Sequence, residues 1–260
     1  MADNEVVVRY EVERGVATLT LDSPANRNAL SARLVRQLTE RLEEAAQDED
    51  VRAVVLTHTG GTFCAGADLS DATSGDPKEN PARIVATMRA IVACAKPVVG
   101  VVDGHVRAGG MGLLGACDLV FAGPAATFAF TEVRLGLAPA VISLPLLPRL
   151  EPRGAQRWYL TGAVFDAAEA QRIGLITEAT ADAPSTAVQP VLDELRKASP
   201  QGLAETKKLL TGGALAVFDE QGGAMVDLSA RLFGSEEAQE GMRAFLERRK
   251  PRWAAADGGH

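Results

Sequence analysis

The sequence predicts an α/β protein. Three observations carry that reading. Strand–turn–helix units recur through the first half of the chain, two glycine-rich segments each follow a strand, and the chain beyond residue 150 turns mainly helical. The opening is a hairpin: Val6, Val8, Tyr10 and Val12 alternate with polar residues, Arg14-Gly15 turns the chain, and Ala17, Leu19 and Leu21 resume the alternation. After a loop with Pro24, Ser31 is placed to cap a helix whose apolar positions Leu34, Leu38, Leu42 and Ala46 recur every four residues. Val54-Val55-Leu56 is a short buried strand. A polar loop from Ser70 to Pro81 follows, then a helix over Ala82–Ala95 built on Ile84, Met88 and Ile91. Val98–Val102 and Asp118–Ala122 read as two further strands. Asp166-Ala167-Ala168-Glu169 resembles a capping box opening another helix. Ala181–Pro190, with two prolines, is expected to be a linker. Helices follow from Val191, with breaks expected at Gly212-Gly213 and Gly222-Gly223. This divides the chain into a core over 1–190 and a C-terminal helical region over 191–260. Periodicity alone fits a doubly wound sheet as well as any other α/β arrangement.

Composition narrows the function. At 260 residues with 47% apolar content the chain suits one large domain with a sizeable core. A net charge of −7 argues against a nucleic-acid groove, which needs a basic face. Cys64, Cys94 and Cys117 are scattered, with no Cys-x-x-Cys pair, so neither a disulfide scaffold nor a zinc site is indicated, and a reducing, cytoplasmic setting is expected. The start lacks the pattern of a secretion signal, and no apolar run nears the roughly 18 residues of a membrane span. His58 sits at a strand end and reads as structural, and His105 has no Gly-x-Ser-x-Gly elbow to serve.

The two glycine segments hold the chemistry. One is Gly60-Gly61-Thr62-Phe63-Cys64-Ala65-Gly66-Ala67-Asp68-Leu69, and the other is Gly104-His105-Val106-Arg107-Ala108-Gly109-Gly110-Met111-Gly112-Leu113. Small residues let backbone N–H groups approach a ligand, and two donors aimed at one point make an oxyanion hole. The spacing of the second is wrong for a Rossmann dinucleotide fingerprint.

In these segments the chain resembles the crotonase superfamily, which includes enoyl-CoA hydratases and isomerases. The resemblance runs from Val6 to about Pro251 and includes the block around Leu160-Thr161-Gly162. It implies a spiral of ββα units, a C-terminal helical part that builds a homotrimer or a dimer of trimers, and an acyl-CoA thioester as substrate. No cofactor is implied beyond the coenzyme A of that substrate. By the same match the oxyanion donors would be the amides of Ala65 and Gly109, and losing one such donor typically costs about 2.7–4 kcal/mol of transition-state stabilisation. Ala67, Asp68 and Leu69 would hold the adenine through backbone contacts, and Arg27 would pair a phosphate. Arg248-Arg249-Lys250 is a further candidate for the phosphates.

Glu132, in Phe128-Ala129-Phe130-Thr131-Glu132-Val133-Arg134-Leu135-Gly136, matches the segment that carries the family's second catalytic glutamate. A carboxylate at the edge of an apolar pocket gains proton affinity and can shuttle protons to carbon; a salt bridge to Arg134 is its alternative role. Where the family's two-glutamate hydratases keep their first glutamate, this chain has Gly112. Three functions stay open: hydration of a 2-enoyl-CoA, closest in feel to bacterial methylglutaconyl-CoA-type hydratases and placed first; 3,2-isomerisation of an enoyl-CoA, which one glutamate can perform; and acyl-CoA binding without catalysis. The Ser70–Pro81 loop, Met88 and the segment Ile142-Ser143-Leu144-Pro145 are candidates to shape the acyl pocket.

Overall fold

The computed structural model describes residues 5–68 and 76–254. Leu69, and the Ser70–Pro81 loop up to residue 75, lie outside the described residues. The hairpin forms as expected, β1 (Val8–Glu13) pairing antiparallel with β2 (Val16–Leu21). Helix α1 (Ala32–Gln47) is capped by the Ser31 hydroxyl, which accepts from the Leu34 amide. It buries Leu34, Leu38 and Leu42, with Ala45 rather than Ala46 completing the stripe.

The middle of the chain repeats one unit. A longer strand enters the first sheet, a short strand turns into a second sheet, and a helix returns. The units run β3 (Ala53–His58), β4 (Thr62–Cys64) and α2 (Glu79–Ala93), then β5 (Val98–Val102), β6 (His105–Arg107) and α3 (Gly109–Ala116). They continue as β7 (Leu119–Ala122) and β8 (Thr127–Ala129), followed by a 3-10 turn over Thr131–Leu135, α4 (Ser143–Leu146) and α5 (Pro152–Thr161). After β9 (Phe165–Asp166), α6 (Ala167–Arg172) and β10 (Glu178–Ala179) the chain leaves the sheets. The first sheet has the order β1-β2-β3-β5-β7-β10 and is parallel from β2 onward; the second has the order β4-β6-β8-β9, parallel except at β9. Strands from successive units are therefore neighbours in both sheets, which is a spiral of ββα turns and not a doubly wound sheet. The Asp166 carboxylate caps α6 through the Glu169 amide, as its sequence indicates.

Two sequence expectations are corrected. Pro81 belongs to α2, whose first turn begins at Glu79. The stretch expected to be a linker holds α7 (Pro184–Ala187) and the start of α8 (Gln189–Lys197), because each proline sits in a first helical turn, where its missing N–H costs nothing. Val188 and Leu192 then pack on Val55, Val101 and Phe121 of the first sheet.

The glycine pairs do not break the C-terminal helices either. Helix α9 (Pro200–Phe233) runs through both for 34 residues and is followed by α10 (Glu236–Leu246). Tertiary contacts hold it: α9 packs along α2 and α4, and Phe218 is buried in the main core. Lys207 anchors it to the spiral. Its Nζ meets Asp118 Oδ2 at 2.7 Å and donates to the carbonyls of Ile91 and Lys96. Beyond the adjacent residues and the helix's own backbone, no described atom comes within 4 Å of a Cβ placed at Gly212, so Gly212→Ala is expected to raise stability by about 1 kcal/mol, read as a higher midpoint in urea.

Candidate active site

The first glycine segment is pinned by a residue that the sequence reading passed over. Asn28, fully buried and in the left-handed region, accepts from the Ser23 amide and donates to the carbonyls of Thr59 and Thr62. The loop before α1 is thereby locked to β4. Gly66 follows at φ +99, and a Cβ there would stand 2.8 Å from the Ala108 side chain and 3.5 Å from the Gly109 nitrogen. The two glycine segments thus meet backbone to backbone.

The amides of residues 65–67 have different fates. Ala65 N–H donates to the Arg27 carbonyl at 3.1 Å, and Gly66 N–H points to the Cys64 sulfur at 3.4 Å. The donor expected of Ala65 is therefore engaged within the fold. Ala67 is the residue of this segment whose N–H has no partner among the described residues: its isolated bridge with Leu30 uses the Gly66 carbonyl to accept from Leu30. On the other segment Gly109 opens α3, so its N–H has no carbonyl one turn back within the helix. It also carries the partial positive charge of the helix start. Ala108, just before it, is held at φ +45, a conformation costly for a residue with a Cβ. Ala65, Ala67 and Gly109 all line one cavity of about 740 Å³. Asp68 and Arg27 line it too, beside Asn26, whose Oδ1 is buried without a partner.

Glu132 enters the same cavity from the 3-10 turn after β8. Gly136 ends that turn at φ +73, and a Cβ there would stand 2.7 Å from the Glu237 backbone, so α10 clamps the turn from outside. No ion pair links Glu132 to Arg134, which instead donates to the Thr161 carbonyl. Glu132 Oε2 is buried and has no hydrogen-bond partner among the described residues. Burial pushes its pKa up from 4.5 to about 7, with only a hydrogen bond from its own backbone opposing. Nearby, the Tyr159 hydroxyl is also buried without a partner and its ring packs on Phe130 at 4.1 Å.

At the missing glutamate the space is filled. A Cβ at Gly112 would stand 2.6 Å from Met88 Sδ and 2.7 Å from Ile142 Cγ2. Met88 is fully buried and Ile142 reaches the cavity wall, so both residues expected near the acyl pocket lie here, against Gly112.

Arg248, Arg249 and Lys250 do not line this cavity. Arg249 is held by Glu240 at 2.7 Å and Glu247 at 2.6 Å, which closes the C-terminal turn. His58 accepts from the Asp103 amide at 3.2 Å and stacks edge-on to Phe63, as a structural histidine does. Burial pushes the Cys64 and Cys117 thiols up to about 12, which leaves neither a ready nucleophile. Among the described residues no cluster of His, Cys, Asp or Glu could hold a metal ion.

The chain matches the model of the Enoyl-CoA hydratase/isomerase family over residues 11–256. It belongs to that family, within the crotonase superfamily. A solved enoyl-CoA hydratase from Mycobacterium avium is 51% identical, with a TM-score of 0.90 over 96% of this chain and 99% of that one. Enoyl-CoA hydratase EchA19 of Mycobacterium tuberculosis is 32% identical over 92% of this chain and 94% of its own length. A carnitinyl-CoA hydratase structure from Mycobacterium avium is 29% identical, with a TM-score of 0.81 over 96% of this chain and 98% of that one. In the present chain the two glycine segments come together only through the spiral, since β4 and β6 are neighbours in space and not in sequence.

Proposed function

We propose that this enzyme moves a proton along the acyl chain of a coenzyme A thioester, with the thioester oxygen held as an enolate and Glu132 as the single acid–base group. The favoured form is migration of a double bond from the 3- to the 2-position. Glu132, as carboxylate, takes a proton from C2 of a 3-enoyl thioester. The electrons move into a dienolate whose oxygen accepts from the amides of Ala67 and Gly109. Glu132 then returns the proton to C4, and the double bond stands conjugated at C2–C3. The supporting observation is the filling of the space beside Gly112 by Met88 and Ile142, which leaves no room for a second carboxylate there to hold an attacking water.

Hydration of a 2-enoyl-CoA is the second reading, supported by the hydratase names that the relatives carry. In it Glu132 alone has to orient the water and protonate C2. Both readings require an enolate. Incubation with a 3-enoyl-CoA in D₂O is expected to convert it to the 2-enoyl thioester and to place deuterium at C2 or C4 wherever Glu132 exchanges its proton, read by mass spectrometry; neither conversion nor incorporation from the 3-enoyl-CoA and from the matching 2-enoyl-CoA, with both bound, would leave only acyl-CoA binding.

Coenzyme A contacts are assigned, within this proposal, to Arg27, Ala67 and Asp68, with Leu69 beyond the described residues. A homotrimer or dimer of trimers is proposed as the assembly, since Leu209 and Leu210 on α9 are 85% and 79% exposed and a neighbouring subunit would cover them. No described helix is long and apolar enough to cross a membrane, and a cytoplasmic location is part of the proposal.

A further inference from the structure

The cavity that Glu132 lines is also lined by residues of α2, and these carry polar atoms that no described residue satisfies. Asn80 Oδ1 and Arg83 Nε are both buried, both without a hydrogen-bond partner among the described residues, on residues that line the cavity. They stand three residues apart on α2 and so share one face of it. Ile84 lies beside them, and Ser229 and Leu232 of α9 line the same cavity. A buried donor and a buried acceptor left unmade destabilise a fold, and a native structure keeps such a pair where something else completes it.

The missing group is defined by what the pair lacks. It has to accept one hydrogen bond from Arg83 Nε and donate one to Asn80 Oδ1. It also has to be uncharged. The Arg83 guanidinium is already paired with Glu79 at 2.9 Å, and Asp76 lines the cavity as well, so at this pair a carboxylate would compete with Glu79 and meet Asp76, whereas a neutral group would not. Asn80 lies eight residues from Met88, the residue packed against Gly112, or about 12 Å along the axis of α2.

Resting on the acyl-CoA reading above, we infer that this end of the cavity is a subsite for a hydroxyl group carried on the distal part of the acyl chain. Asn80 and Arg83 select it. An amide of the pantetheine arm offers the same donor and acceptor, and the test separates the two sources.

Calorimetric titration of the full chain uses four probes: free coenzyme A, and medium-chain saturated thioesters of equal length ending in a methyl, a hydroxyl or a carboxylate. The hydroxyl ester is expected to bind about tenfold or more tighter than the methyl ester, and the carboxylate ester no tighter than the methyl ester. In Asn80→Leu, and in Arg83→Lys, which keeps the charge facing Glu79, the hydroxyl-to-methyl ratio is expected to fall toward one. Circular dichroism of both variants verifies folding, and the wild-type ratio stands as a test without them. Equal wild-type affinities for hydroxyl and methyl esters would overturn the inference, as would preference for the carboxylate. An equal loss for all four probes in the variants would overturn it in favour of pantetheine. Because saturated thioesters do not turn over, absence of catalysis leaves this result standing, whereas failure of all four probes to bind would sink the acyl-CoA reading along with the subsite.

Discussion

Glu132→Gln is expected to lower turnover by about 10²–10⁴-fold, the range of a lost general acid–base group, while acyl-CoA binding persists. The geometry states why. Its Oε2 is buried with no partner among the described residues, in the cavity that Ala67 and Gly109 also line, and burial has brought its pKa to about 7. A group poised there takes and returns protons with little bias in either direction. Because the carboxylate form starts the reaction, kcat/KM is expected to rise with pH through about 7 and then level off. The glutamine variant loses that inflection along with the rate.

The same burial makes Glu132 a cost to the fold. Its folded pKa is raised, so between the ordinary 4.5 and about 7 the folded chain holds a proton that the unfolded chain has released. Stability from this group is full below 4.5 and falls as pH rises through 7, by about 3 kcal/mol in all. Glu132→Gln is therefore expected to be more stable than the wild type at pH 8, with the gain shrinking toward pH 5. Denaturant midpoints at the two pH values measure it.

The second large effect is at Gly112. Gly112→Glu restores the residue of the two-glutamate hydratases in sequence but not in space. Its Cβ already meets Met88 Sδ at 2.6 Å and Ile142 Cβ at 3.0 Å, before the carboxylate is placed. Methionine can yield, whereas the β-branched Ile142 has little freedom. Overpacking of this kind typically costs about 1–3 kcal/mol, and the buried carboxylate adds to it. The variant is expected to lose stability and to gain no hydration of a 2-enoyl-CoA, read from its thermal midpoint and from the enoyl absorbance. Gain of hydration without loss of stability would show that the filled space is not what sets the chemistry.

How far these features were legible in the sequence depended on whether they are local. The Ser31 and Asp166 caps were legible because a side chain and an amide three residues on decide them. The order of the two glycine segments and the flanks of Glu132 were legible as motifs. Which amide stays free was not: Ala65 and Ala67 have the same side chain, and what separates them is the Arg27 carbonyl, brought in by the turn that Asn28 locks. Helix α9 runs through glycine pairs because contacts with α2 and α4, distant in sequence, outweigh the local penalty. Asn80 and Arg83 fell in or next to a stretch read as a polar loop, and only the shape of the cavity shows their unmet hydrogen bonds. Gly112 was read as an absence, and the structure shows Met88 and Ile142 in its place.

The central claim is that one carboxylate, Glu132, shuttles a proton over an enolate. Its most direct measurement follows conjugated enoyl-thioester absorbance when the purified protein meets a short 3-enoyl-CoA, with Glu132→Gln as control. The absorbance is expected to rise with the wild type and to stay flat with the variant. A flat trace from the wild type, with a Glu132-dependent fall in absorbance from the matching 2-enoyl-CoA, would contradict it and assign hydration instead.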